Sequence, residues 1–275
     1  MSGILYLVAT PIGNLEDITF RAIRILKEVD LIAAEDTRQT LKLLNYYEIN
    51  KPLISYHRHN EEIKVDNLIK QLKDGKNIAL VSDAGTPVIS DPGEVIVKQA
   101  IEEKIKIIPI PGACALINAL IASGLDTKEF CFYGFLPLNK KTRKDIIEKI
   151  KKENKTIILY EAPHKLKSTL EDLEKILENR KIVIARELTK IHEEFLSGTV
   201  SEILEKYPEP KGEHIILIEK NNIQEKTEEE IELINMPIEE HYKYYEKQGF
   251  TKNEIIKKIA KDKNVTKNEI YKLFI

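Results

Sequence analysis

Short runs of β-branched and leucine-rich residues alternate along the chain with longer stretches in which apolar residues return every three or four positions. ILYLVA (4–9), LIAAE (31–35), NIALVS (77–82) and KIIPI (106–110) predict strands, and the segments between them predict helices. In the first of those helices Ile18, Ala22, Ile25, Leu26 and Val29 share one face, with Asn14 as the cap and Asp17 in an acidic first turn. After PGACALINALIASGL the pattern restarts. CFYGF (131–135), TIILYE (156–161), KIVIARE (181–187) and HIILIE (214–219) predict strands, and residues 165–178 predict a helix that buries Leu166, Leu170, Leu173 and Leu177. The fold class read from this pattern is α/β, with two tandem α/β domains over residues 1–115 and 116–224.

Beyond residue 224 the character changes. EKTEEEIE (225–232) reads as an acidic linker or the solvated start of a helix. Pro237 suits a first helical position and Gly249 a helix end. The tetrad TKNE then occurs twice, at 251–254 and 266–269, and each copy is a capping box in which threonine and glutamate exchange hydrogen bonds with backbone N–H groups. Two short helices starting fifteen residues apart, with KDKNV between them, predict a small helical domain of helix-turn-helix type over 225–275.

Composition narrows the function classes. With 42% hydrophobic and 32% charged residues and a formal net charge of -2, the chain of 275 residues reads as a globular protein with no general attraction for nucleic acid, though local basic faces are allowed. Two cysteines, Cys114 and Cys131, are too few for a disulfide framework or a zinc site and suit a reducing compartment. The opening MSGILYLVATPIG lacks a basic leader region and reads as a first strand, and no run approaches the roughly 18 apolar residues of a membrane span. The expected location is cytoplasmic.

The candidate chemistry concentrates after the strands. ALVSDAGTPVISDPGE (79–94) places Gly85 directly beyond a strand, where open α/β sheets bind ligands, and Pro87 stiffens the exit. The chain has no G-x-G-x-x-G ahead of a helix and no G-x-x-x-x-G-K-[ST]. An Asp83 carboxylate repels phosphate but accepts hydrogen bonds from ribose hydroxyls or an ammonium group, which favours a nucleoside ligand without phosphate; an Asp-Gly turn joining strand to helix is the plainer alternative. VATPIGN (8–14), AEDTR (34–38), PIPGACA (109–115) and YEAPHK (160–165) also follow strands, which suggests one shared cleft.

LVATPIGNLEDIT, AAEDTR, LVSDAGTPVISDPG, PIPGACA, YGFLP, YEAPHK and ARELTK together closely resemble the ribosomal RNA small subunit methyltransferase I family, a branch of the tetrapyrrole methylase superfamily, over essentially the whole chain. The resemblance implies S-adenosylmethionine as cofactor and 2′-O-methylation of a cytidine in the decoding region of small-subunit ribosomal RNA. It implies a homodimer, since superfamily members are commonly dimers. By motif position it places Pro11, Asp83, Ala84, Gly85, Val88, Cys114, Ala115 and Glu161 around the cofactor in a cleft between the two α/β domains. The partner is then ribosomal RNA, naked or in the assembled small subunit.

A ribose hydroxyl needs a proton acceptor, and the strand-end loops offer Glu35, Asp36 and Arg38 in AEDTR, and Glu187 and Lys190 in ARELTK. Asp36 or Glu187 is expected to take the proton, with Arg38 and Lys190 holding RNA phosphate or orienting the carboxylates; ion pairs or helix caps are the alternative, and His164 is a further candidate base. Residues 140–155 carry eight Lys or Arg against three acids, and 250–275 carry seven lysines against three acids, so both are candidate phosphate-facing surfaces. Two other functions compete: methylation of a tetrapyrrole or corrinoid precursor, which needs no basic helical appendage, and a ligand-sensing DNA-binding regulator.

Overall fold

The computed structural model describes residues 2–177, 179–208, 210–221, 228–263 and 265–274, with backbone only for 228–231. Strands β1 (Ile4–Val8), β2 (Leu31–Ala34), β3 (Leu53–Ser55), β4 (Ile78–Val81) and β5 (Lys106–Ile110) form a sheet in the order β3-β2-β4-β1-β5. Every pairing in it is parallel. Each strand leads into a helix: α1 (Phe20–Glu28), α2 (Thr37–Tyr46), α3 (Glu61–Lys73), α4 (Glu94–Glu102) and α5 (Ala115–Ala122).

Side-chain alternation decides which helix covers which face. Leu5, Ala33, Ile78 and Leu80 face Leu68 and Leu72 of α3 and Ile96 and Ala100 of α4. Val8, Ile32, Ala79 and Val81 face Ala22, Ile25 and Leu26 of α1 and Leu44 of α2. All four residues of β2 and of β4 are therefore buried, which explains their unbroken apolar runs. The neighbours β1 and β4 send their helices to opposite faces of the sheet, which makes the carboxyl end between them the switch point where open α/β sheets bind ligands.

The second sheet contains β6 (Phe130–Phe135), β7 (Thr156–Glu161), β8 (Ile182–Arg186), β9 (Glu194–Gly198) and β10 (His214–Ile218), in the order β6-β7-β10-β8-β9. Only β6 and β7 run parallel, and the remaining pairs are antiparallel. Helices α6 (Lys140–Lys152), α7 (Pro163–Leu177) and α8 (Val200–Lys206) cover one face through Ile150, the Leu166, Leu170, Leu173 and Leu177 stripe, and Ile203. The other face receives α5: Leu116, Ala119 and Leu120 pack on Ile158, Val183 and Leu217. The helix that follows the last strand of the first sheet thus belongs to the core of the second, and both sheets fall in one compact unit, Met1–Asn221.

The second unit, Asn222–Ile275, contains α9 (Glu228–Asn235), α10 (Ile238–Lys247), α11 (Lys252–Asp262) and α12 (Lys267–Lys272). Tyr245, Ile255, Ile256, Ile259, Ala260 and Ile270 form its own core. Both TKNE tetrads open a helix: Glu254 accepts from the Thr251 N–H and Glu269 from the Thr266 N–H, each at 2.9 Å. Of the expected linker, residues 225–227 lie outside the described residues, and the rest falls in α9.

Three local expectations change. Asn14 caps a short 3-10 turn, Leu15–Asp17, and α1 starts later under Thr19, whose hydroxyl accepts from the Ala22 N–H at 3.1 Å. Pro237 stands at the cap of α10, one position before its first turn. Strands β3 and β9 were not anticipated, because LIS is too short to show an alternation and EFLSG ends in a glycine at the sheet edge.

Candidate active site

Three strand-end loops of the first sheet are stitched together at its carboxyl edge. Thr10 and Gly85 exchange two backbone hydrogen bonds, at 2.9 and 3.0 Å, joining the loop after β1 to the loop after β4. The Thr10 hydroxyl donates to the Ser82 carbonyl at 3.2 Å, and the Thr86 hydroxyl to the Ala113 carbonyl at 3.0 Å, which adds the loop after β5. Gly85 sits at φ +81°, where a Cβ would stand 3.0 Å from Ile12 Cγ2 and 3.4 Å from the Ala113 oxygen. The loop goes on through left-handed Val88 (φ 78°) and Ser90 (φ 67°). A β-branched residue in that region is a strained one.

Beside this stitched edge lies a cleft of about 410 Å³. Its walls come from both sheets: Ile12, Ala84, Gly85, Ser90 and Asp91 from the first, and Phe135, Tyr160, Glu161, Ala185, Leu188 and His214 from the second, with Cys114 and Ala115 at the start of α5. Tyr160 is braced edge-on by Phe132 (4.8 Å between centroids) and Phe135 (5.7 Å). Much of the wall is apolar, and among the described residues it carries carboxyl groups but no lysine or arginine, so it suits a cation or an uncharged heteroaromatic better than a phosphate.

The matches with known proteins run the length of the chain. Residues 4–204 match the family model described as "Tetrapyrrole (Corrin/Porphyrin) Methylases". Proteins named "Ribosomal RNA small subunit methyltransferase I" are 53% identical over 98% of this chain and 93% of the relative in Bacillus subtilis (strain 168), and 45% identical over 98% and 97% in Synechocystis sp. (strain ATCC 27184 / PCC 6803 / Kazusa). The chain belongs to the ribosomal RNA small subunit methyltransferase I family, within the tetrapyrrole methylases. It is a methyltransferase. The fold is shared more widely: a diphthine synthase structure superposes with a TM-score of 0.65 at 16% identity over 81% of this chain and 92% of that one. A uroporphyrin-III-C-methyltransferase from Thermus thermophilus gives 0.55 at 18% identity over 80% and 93%.

In this methyltransferase five of the eight residues expected around a cofactor, Ala84, Gly85, Cys114, Ala115 and Glu161, lie on the cleft wall. Pro11, Asp83 and Val88 do not. Ile12 takes the wall position beside Pro11. Asp83 accepts from the Asp36 N–H at 2.9 Å, which ties the loop after β4 to the start of α2. Val88 packs into the core beneath β4. Glu161 is buried, and its two oxygens accept from the Ala162 N–H at 2.9 Å and the Thr169 hydroxyl at 2.6 Å.

None of the four expected catalytic residues, Asp36, Arg38, Glu187 and Lys190, lines the cleft. Asp36 caps α2 and pairs with Arg38 at 2.8 Å, and those bonds hold its carboxyl down to about 2. Glu187 accepts from the Glu213 N–H at 3.0 Å and from Lys190 at 3.1 Å, and the first of these chiefly lowers its carboxyl. A Cβ on Gly13 would stand 2.6 Å from Lys190 Cγ, so the Glu187–Lys190 loop packs directly on the loop after β1. His164 is exposed on the first turn of α7 and does not itself line the cleft, although Ala162 and Pro163 just before it do. Glu35 is raised by burial and then by Asp83. Sequence reasoning missed Asp91, Tyr160 and His214. Asp91 stood in the quoted loop eight residues after Asp83, and that second acid was the available signal.

His214 carries a pH effect. Burial, and then Arg186, push its imidazole down from 6.5 to about 4, while Tyr207 hydrogen-bonds its Nε2 at 3.1 Å. Between those two values the unfolded chain binds a proton that the folded chain refuses, so this contribution is complete above 6.5 and is lost as the pH falls towards 4. Asp91, raised from 3.8 to about 6, acts in the opposite sense over the lower part of that window. On going from pH 7 to pH 5 the urea midpoint of His214→Gln is expected to rise relative to that of the wild type, because the loss at His214 is removed while the opposing gain at Asp91 stays.

Proposed function

We propose that the protein transfers a methyl group from S-adenosylmethionine to the 2′-oxygen of a cytidine ribose in the decoding region of small-subunit ribosomal RNA. Similarity at about half identity over nearly the whole chain to proteins of that name carries the reading. The cleft fits the donor: a bare glycine at the ligand edge, an apolar wall and carboxylates suit a molecule with ribose hydroxyls, an ammonium group and a sulfonium but no phosphate. When bound, the donor supplies an already activated methyl group. Ala84, Gly85, Cys114 and Ala115 hold it through the loops after β4 and β5, while Pro11, Asp83, Val88 and Glu161 hold those loops and the wall of β7 in shape. Positioning of the ribose against it contributes up to about 7 to 11 kcal/mol of the barrier. Asp36 with Arg38, and Glu187 with Lys190, keep the strand-end loops in place as paired charges.

The RNA-facing surface in this reading includes the exposed lysines at the start of α6, Lys140, Lys141 and Lys144, which follow Phe135 on the cleft wall. Arg143 is a poorer candidate, since it donates to Asp172 at 3.0 Å and to the Thr169 hydroxyl at 2.9 Å. Replacing the three lysines with alanine is expected to weaken binding to small subunits and to flatten the plot of log affinity against log salt by roughly 2 to 3. An unchanged slope removes α6 from the interface. The lysines of α11 and α12 form a second basic surface. Work in the cytoplasm as a homodimer on ribosomal RNA, naked or in the assembled small subunit, completes the proposal.

Purified protein incubated with labelled S-adenosylmethionine and undermethylated small ribosomal subunits is expected to yield 2′-O-methylcytidine by nucleoside mass spectrometry. Label on another nucleoside, or none, overturns this assignment.

A further inference from the structure

Resting on the reading of the cleft as a methyl-transfer site, we propose that Asp91 is the catalytic residue that accepts the proton of the ribose hydroxyl. Three carboxylates lie on the cleft wall: Asp91, Glu161 and Glu213. The oxygens of Glu161 are already engaged by Thr169 and the Ala162 N–H, and Glu213 pairs with Lys190 at 3.1 Å. Asp91 is in no ion pair among the described residues; the Ser82 side chain hydrogen-bonds its carboxyl, and its remaining acceptor positions face the cleft.

Topology gives Asp91 unusual neighbours. Because β2 and β4 are adjacent, Glu35 at the end of one strand and Asp83 at the end of the other stand close together. The loop after β4 turns through left-handed Val88 and Ser90 and returns Asp91 to the same place. Facing it are Glu35 from the end of β2, Ser82 and Asp83 from the end of β4, Arg58 from the segment after β3, and Tyr160 across the cleft on β7. Burial, followed by Glu35, raises its carboxyl to about 6, against the weaker opposing pull of Ser82 and Arg58. A carboxylate of that strength is still ionised at neutral pH and is a better proton acceptor than a free aspartate.

The step balances within the cleft. The ribose oxygen forms a bond to the methyl carbon as the carbon–sulfur bond breaks, the electron pair of that bond stays on sulfur, and the hydroxyl proton moves to an Asp91 oxygen. A sulfonium facing a carboxylate becomes a neutral thioether facing a neutral acid, so the step cancels the two reacting charges in a largely apolar site. Release of the proton to water resets the enzyme.

Two measurements on the full chain test this. In protein labelled with ¹³C at its aspartate carboxyls, without donor, one signal is expected to titrate at about 6 and to be missing from Asp91→Asn. In wild-type enzyme kcat/KM for the donor is expected to fall with unit slope below that pH, because the base must be ionised. Asp91→Asn is expected to bind S-adenosylmethionine by calorimetry, to lose about 10² to 10⁴ in single-turnover methylation, and to lose the acidic limb. The proposal is overturned by a variant that keeps the wild-type rate, by one that keeps the limb, by one that no longer binds the donor, or by a wild-type spectrum with no such titration. A wild-type enzyme that methylates while Asp91→Asn matches it removes only this assignment and leaves the function standing.

Discussion

Gly85→Val is expected to abolish useful donor binding while leaving a folded protein. The backbone at Gly85 is left-handed, at φ +81°, which a β-branched residue adopts only with strain of about 1 to 3 kcal/mol. Its Cβ would stand 3.0 Å from Ile12 Cγ2, itself on the cleft wall, so a branched side chain crowds the wall where the ligand is expected. The two bonds to Thr10 prevent the loop from moving aside without breaking the junction between β1 and β4. Calorimetry should therefore show an affinity loss of at least about 100-fold, or roughly 2.7 kcal/mol. Strain of this size lowers the melting temperature by only roughly 2 to 12 °C. Donor binding at wild-type strength by this variant would remove the loop after β4 from the site.

Glu161→Ala is expected to give the largest loss of stability among the residues on the cleft wall. The carboxylate links β7 to α7 through Thr169, and Thr169 in turn accepts from Arg143 of α6 at 2.9 Å. Truncation strands the buried Thr169 hydroxyl and removes the partner of the part-buried Ala162 N–H at the cleft wall, at up to about 1 to 3 kcal/mol each. A loss of about 2 to 5 kcal/mol in urea unfolding follows, with Glu161→Gln recovering part of it because the amide oxygen still accepts one bond. Equal stability of Glu161→Ala and wild type would show that this chain of bonds contributes nothing.

Much of the fold was legible because the central strands are buried on both faces. IALV and IIL carry no polar interruption, so periodicity alone places β4 and β10, and the leucine stripe places α7. Strands β3 and β9 lack such a run, the first because it has only three residues and the second because EFLSG mixes polar residues into a short edge segment, whereas the edge strands β5 and β6 keep apolar runs that show. The cleft was partly legible for a similar reason: Ala84, Gly85 and Cys114 occupy loops that follow directly from recognisable strands. The catalytic assignment was not. Asp36 and Glu187 look available in one dimension, yet each is engaged by a partner a few residues away, Arg38 or Lys190. Asp91 acquires its basicity from burial and from Glu35, fifty-six positions earlier in the chain, and only the adjacency of β2 and β4 brings that acid near.

The most direct measurement of the central claim is a crystal structure of the protein with S-adenosylmethionine. Donor density is expected in the cleft, against the Gly85 backbone on one side and Cys114 and Tyr160 on the other. Donor bound elsewhere, or an unfilled cleft at saturating donor, would contradict it.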